Sequence, residues 1–176
     1  MGDFTEIRPG GRPLVQAYLG FMLWFVGRAI QAAARVDVDV KNEFEALPDG
    51  FTMALGAAPD GPAMIVGKDE NGKVKYKGWK TDGLDLNVKM TIKSIEALFL
   101  IFTFRESTPV ANARDRLFVE GNLPEACAAV RILDVVQVYL LPKPVAKLAV
   151  KRYPKWSLKR HTYNRAMVYL RTIIGL

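Results

Sequence analysis

Apolar and polar residues alternate with two different periods along this chain, and the changes of period divide it into elements. From about Leu14 to Arg35 the chain is apolar almost throughout, including Phe21, Met22, Trp24 and Phe25. Its polar or small positions Gln16, Gly20, Gly27, Gln31 and Arg35 recur at spacings of four and seven, which puts them in one narrow stripe of a helix. Asp37 to Leu47 predicts a short connecting helix closed by Pro48-Asp49-Gly50, with Asp37 and Asp39 as helix-start charges. From Phe51 the period falls to two. Phe51, Met53 and Leu55 alternate with Thr52, Ala54 and Gly56 in a first strand, and Ala63 to Lys68 and Val74 to Trp79 predict two more. Asn71-Gly72 joins the last pair as a hairpin, because both residues tolerate positive φ. Lys73, Lys75 and Lys77 share one face there and predict a solvated surface.

Leu86, Val88, Met90 and Ile92 alternate in a fourth strand. Ser94 is a candidate N-cap for a helix over Ile95–Phe104 that is apolar nearly all round and must be covered on every side. A linker over Ser107–Arg114, with room for a turn of helix, leads to a short strand whose Leu117 and Val119 face inward. Asn122 and Glu125 have the spacing of a capping box for the helix Leu123–Leu140. After Pro142 and Pro144, a short basic helix over Val145–Arg152 and a last helix over Ser157–Ile174 are expected. The fold class is α+β: a five-stranded, mainly antiparallel sheet covered on one face by helices. Three parts are expected. Residues 1–38 form an arm and apolar helix, 39–140 the domain, and 141–176 a basic helical extension packing on it.

Composition sharpens this. Half of the residues are hydrophobic and 24% are charged, enough to build a core. A membrane span needs ~20 apolar residues, and Arg28 interrupts the first helix too early. A signal peptide finds support in Arg8, Arg12 and Ala32–Ala34, while Asp3 and Glu6 dilute its charged end. The reading adopted is a retained helix packed on the domain or lying at a membrane interface. The lone Cys127 excludes an internal disulfide and fits a reducing compartment, hence a cytoplasmic protein peripheral to the membrane. Amid Ala126, Ala128 and Ala129, it is expected in the core. The net charge of +7 is lopsided: no acid follows Asp134, whereas nine bases do. That asymmetry points to an anionic partner, with Lys147, Lys151, Arg152, Lys155, Lys159 and Arg160 as membrane or phosphate contacts.

Reaction chemistry is not marked. His161, the one histidine, has no acidic or nucleophilic partner signposted in the sequence. One Cys, one His and no acid cluster supply no metal site, and neither a phosphate-binding glycine loop nor a nucleophile elbow is present. A non-catalytic chain without cofactor is expected. Its surplus of apolar surface suits an apolar ligand, since each buried methylene contributes about 0.8 kcal/mol. A cavity between sheet and helices is expected to draw on Leu86, Val88, Met90, Leu98, Phe99, Phe102, Met167, Leu170 and Ile174, residues that an ordinary core would also use. Tyr153, Trp156 and Tyr163 interleave the terminal bases, but no recognition motif supports nucleic acid as a partner.

Two motifs carry a family resemblance. Asp82-Gly83-Leu84-Asp85-Leu86-Asn87-Val88-Lys89-Met90, with the following Ile95-Glu96-Ala97-Leu98, and Arg116-Leu117-Phe118-Val119-Glu120-Gly121-Asn122-Leu123 resemble the fourth strand, helix and last strand of the sterol carrier protein type-two (SCP2-like) domain. The likeness covers roughly Asp39 to Leu140. Arg105-Glu106 replaces the family's usual Gly-Lys, and Asp115 stands where Gly is common. The resemblance implies a hydrophobic tunnel between sheet and helices that binds fatty acid, acyl-CoA, sterol, phospholipid or prenyl lipid without transforming it. Some bacterial relatives serve as accessory lipid-binding factors in isoprenoid quinone biosynthesis. This gives the alternative of a membrane-associated scaffold anchored by Leu14–Ala34.

Overall fold

The computed structural model describes residues 12–59, 61–81, 83–103, 105–106, 108–142, 145–146, 156 and 160–175. Helix α1 spans Pro13–Val36, with Pro13 at its start where a missing N–H costs nothing. Helix α2 spans Val38–Glu45, and the Asp37 carboxylate between the two accepts from the backbone N–H groups of Asp39 and Val40. Strands β1 (Thr52–Ala57), β2 (Ala63–Lys68), β3 (Val74–Gly78), β4 (Val88–Ile92) and β5 (Leu117–Gly121) form one sheet in the order β3-β2-β1-β4-β5. Helices α3 (Ile95–Phe102) and α4 (Thr108–Ala113) separate β4 from β5, and α5 (Leu123–Leu140) follows. A π-helical turn at Arg160–Asn164 leads into α6 (Arg165–Ile174).

The sheet is mixed. β1 pairs antiparallel with β2 but parallel with β4, with Met53 beside Val88 and Leu55 beside Met90. The remaining pairs are antiparallel. One sheet face carries Met53, Met64, Val66, Val88, Met90 and Ile92 into a core shared with Leu19, Leu23 and Ile30 of α1 and Ala129, Ile132 and Val136 of α5. Helix α1 is long and apolar enough by length and composition to cross a bilayer. Here it packs on β2 and β3 and on α6, and its core residues are continuous with those of the domain.

Local chemistry explains the joints. Asp69 holds the β2–β3 turn by accepting from Asn71 and Lys73 N–H at 3.1 and 2.8 Å, and Gly72 takes φ 73°. The Lys73 bond holds the Asp69 carboxyl below its usual range. Ser94 Oγ caps α3 by accepting from Ala97 N–H at 3.1 Å. The capping box at α5 does not form. The Asn122 side chain makes no cap bond and Glu125 Oε2 is buried without a hydrogen-bond partner, while Pro124 at the second helical position removes the alternative N–H donor. Cys127 is exposed, not in the core. At about 100° per residue it shares the outward side of α5 with Leu123 and Val130, while Ala126 and Ala129 turn inward. Lys73, Lys75 and Lys77 are all exposed, as a solvated face requires, and two of them also make polar contacts. The Lys77 ammonium reaches across Gly67 to donate to Thr52 Oγ1 at 2.9 Å, and Lys75 lies 3.4 Å from the Asp69 carboxylate.

Candidate functional site

Helix α1 has three faces. Leu19, Leu23, Val26 and Ile30 face the core. Some 140° around the helix, the row Leu14, Tyr18 and Phe21 faces outward, with Leu14 84% and Phe21 58% exposed, while Phe25 at its end packs on Tyr169 of α6. The third face is the small and polar stripe, and it seats α1 on the sheet edge. Gly27 lies against the Tyr76 ring, where a Cβ would come within 2.6 Å of Tyr76 Cδ2. Gln31 accepts from Tyr76 N–H at 2.9 Å and donates to the Gly175 carbonyl at 3.3 Å, tying β3 to the end of α6. Burial pushes the Tyr76 phenol up, with the nearby Arg28 charge opposing.

Further toward the N-terminus the same stripe stands away from the sheet. At Gly20 the nearest atom to a built Cβ is Pro62 Cβ at 3.8 Å. A cleft of about 860 Å³ opens here, walled by Ala17, Gly20, Trp24, Pro62, Ala63 and Trp79, with Gln16, Tyr76 and Lys80 as its polar groups. Such a volume lies within the range of about 300–1,000 Å³ typical of small-ligand sites. Among the described lining residues Lys80 is the one charged group. The chemistry on offer is apolar enclosure with a cation at the rim, and no acid–base pair stands among its described lining residues.

The space between the sheet and α5 differs. It is lined by Met53, Met64, Val66, Met90 and Leu133 and is too narrow to admit a water molecule. The tunnel expected between sheet and helices is not seen among the described residues.

A buried polar hub joins α1, α2, α5 and the π-helical turn. The Asp37 carboxylate accepts from Tyr139 OH, from Arg160 Nε at 2.9 Å and from Arg160 Nη2 at 2.8 Å. Arg160 Nη2 also reaches Asp39 at 2.6 Å. The guanidinium sits 4.4 Å from the centre of the Trp156 ring, which packs 4.7 Å from Tyr139. Burial, and then the bond to Asp37, pushes the Tyr139 phenol up to about 12. Burial opposes the charge on Arg160, but its bonds to Asp39, Tyr139 and Asp37 outweigh it and raise its hold on the proton.

The residues expected to line a cavity are dispersed. Val88, Met90 and Leu98 are buried in the packed core. Phe99 and Phe102 meet α1 at Tyr18, whose ring lies 6.0 Å from Phe99 and whose OH donates to the Phe102 carbonyl at 3.3 Å. Leu86 is half-buried ahead of β4, in a separate open depression with Lys89 and Glu120. On α6, Met167 is half-buried, while Leu170 and Ile174 are 52% and 57% exposed. Of the basic contacts, Arg160 is turned inward to the hub. Lys147, Lys151, Arg152, Lys155 and Lys159 lie outside the described residues, as do most of the Val145–Arg152 helix, the start of the last helix and the His161 side chain. Sequence reasoning missed Ala17, Gly20, Trp24, Pro62, Ala63 and Lys80. The stripe of small residues on α1 was the available signal.

Fold and site together define an α+β domain whose N-terminal helix bridges a mixed five-stranded sheet and leaves an apolar cleft at its edge. No family model matches the sequence, and no curated protein does. Among solved structures, a UbiJ-SCP2 ubiquinone synthesis protein aligns at 17% identity and TM-score 0.41, over 71% of this chain and 97% of its own. The sterol carrier protein domain 2 of Helicoverpa armigera aligns at 18% identity and TM-score 0.41, over 73% and 94%. Sterol carrier protein 2 from Yarrowia lipolytica, in its apo form, aligns at 19% and 0.40, over 65% and 91%. All three of these structures are SCP2 or sterol carrier proteins by name.

Proposed function

We propose that this protein binds an apolar lipid in the cleft between α1 and the β2–β3 edge, without transforming it, while resting on an anionic membrane surface. The observation that carries the reading is the cleft itself: about 860 Å³, walled by small and aromatic residues, with a single cation among its described lining. A dozen methylenes buried there would contribute on the order of 10 kcal/mol. Lys80 suits an acidic head group at the rim. Two features support the membrane contact. Helices α1 and α6 carry Arg28, Arg35, Arg165 and Arg171 but no Asp or Glu. They also expose Leu14, Phe21, Leu170, Ile173 and Ile174. The basic residues 147–159 add to that charge.

Gly20→Leu tests the reading. The substitution favours the helix and starts its side chain at van der Waals distance from Pro62, toward the cleft, so the fold should persist while the cleft fills. Delipidated wild type should bind a fluorescent fatty acid, and the variant should lose at least tenfold in affinity. Equal binding by both would move the ligand out of this cleft. No binding of acyl, sterol or prenyl probes by either would favour the scaffold alternative, in which the membrane contact alone is functional.

A further inference from the structure

The two edges of the sheet are treated in opposite ways. β3 carries Lys75 and Lys77, follows Lys73, has an irregular register against β2 at Ile65/Val66, and gives the Tyr76 N–H to Gln31 of α1. Charges, bulges and covering elements are the usual devices that stop an edge from pairing with another chain. Among the described residues β5 carries no bulge, and its one charge, Glu120, is paired with Lys89 of β4 at 3.5 Å. Its register with β4 is unbroken from Leu117 to Gly121, it contains neither proline nor lysine, and Phe118 and Val119 are 49% and 43% exposed. Exposed Val110 of α4 and Leu123 of α5 lie on the two elements that pack on β5.

We propose that β5 is the seam of a homodimer, in which two copies pair their β5 strands antiparallel about a two-fold axis at Val119. The hydrogen-bond phase fits. Lys93 N–H donates to the Arg116 carbonyl at 2.9 Å, so alternate residues Arg116, Phe118 and Glu120 direct their backbone groups toward β4. Leu117 and Val119 therefore direct theirs to the open edge. A two-fold axis at Val119 makes it exchange both bonds with Val119 of the second copy, and sets Leu117 opposite Gly121. Side chains fit as well. On the core-facing side the row runs Met90, Val119, then Val119 and Met90 of the second copy, and stays apolar across the seam. On the other side Glu120 comes opposite Phe118 of the second copy, over whose ring the Lys93 ammonium sits at 4.4 Å. Glu120 already lies 3.5 Å from Lys89 and Lys93 already pairs with Asp115 at 2.6 Å, so the seam brings two neutralised pairs together and sets no like charges directly opposite each other. The isologous arrangement closes at two copies and hides the edge that stays open among the described residues. The lipid reading plays no part in it.

Sedimentation of the full chain from about 1 to about 100 μM should show a dimer that dissociates on dilution. Val119→Pro removes only an N–H that points away from β4, so its far-UV spectrum should match wild type while the protein sediments as a monomer. Val119→Lys, which places a charge in the seam, should do the same and decides the matter should the proline variant fail to fold. A wild-type monomer at every concentration, or a dimer that survives both substitutions, would overturn the proposal.

Discussion

Replacing Asp37 by Ala attacks the point where four helical segments are tied together. Its side chain is fully buried and holds the first turn of α2, the Tyr139 hydroxyl and the Arg160 guanidinium. Loss of an N-cap costs about 1 kcal/mol. Stranding one partner of a buried ion pair costs about 3–5 kcal/mol. The lower end applies here, because Arg160 is 25% exposed and keeps Asp39 and its seat on Trp156. The total is about 4 kcal/mol, a large share of the 5–15 kcal/mol typical of a whole domain. Asp37→Asn keeps an acceptor for the cap but not the charge, and should cost about half as much. Tyr139→Phe removes the bond donated to Asp37 and the longer one accepted from Arg160 at 3.4 Å, and should cost about 1–2 kcal/mol. Urea unfolding at pH 7, with m-values that agree among the variants, measures all three. A loss under about 1 kcal/mol for Asp37→Ala, or Tyr139→Phe proving the worst of the three, would refute the assignment of the hub to Asp37.

Two further outcomes follow from the geometry. Gly20→Ala should stabilise by about 0.5–1 kcal/mol through helix propensity, since its Cβ meets nothing closer than 3.8 Å, whereas Gly27→Ala should destabilise by about 1–2 kcal/mol because the Tyr76 ring must move. Thermal unfolding of the two variants side by side reads the difference, and equal shifts would contradict the close seat at Tyr76. Alkaline pH should expose Tyr139. With the folded phenol at about 12 and free tyrosine near 10, the contribution is whole below about pH 10 and falls as pH rises to about 12, by about 3 kcal/mol. That loss should be absent from Tyr139→Phe in a pH series of unfolding midpoints.

Much of the framework was legible. β2 at Ala63–Lys68 and α5 at Leu123–Leu140 stand where the period, the hairpin turn and the flanking Gly and Pro residues put them. What periodicity cannot supply is the identity of the surface opposite each face. The four-and-seven stripe on α1 was readable as a stripe, but not as the seat for Tyr76 and the wall of a cleft, because glycine marks close approach and open space alike. Cys127 shows the same limit: several small residues in succession cannot all point inward, and propensity does not choose among them. The parallel β1–β4 pairing joins strands more than 30 residues apart and follows from packing, not from any local signal. Arg160 looked like one more member of a basic run. Its assignment to Asp37 depends on a contact across 123 residues.

One stripe on one helix thus governs both halves of the proposed site. Where it presents Gly27 and Gln31, α1 closes onto β3, satisfies the Tyr76 N–H and covers that edge of the sheet. Two turns earlier, Gly20 and Ala17 leave the gap between helix and sheet unfilled, and Trp24 stands at the boundary between the two regimes. Its indole is held by Arg28, whose guanidinium lies 5.2 Å from the ring centre. The outward row Leu14, Tyr18 and Phe21 lies on the same two turns of helix as Ala17 and Gly20, about 100° around the axis. A membrane meeting that row would therefore lie within one helix diameter of the cleft. On the proposed function, an apolar chain leaving the bilayer would need little passage through water, since exposed aromatics and a hollow wall occur together on one segment.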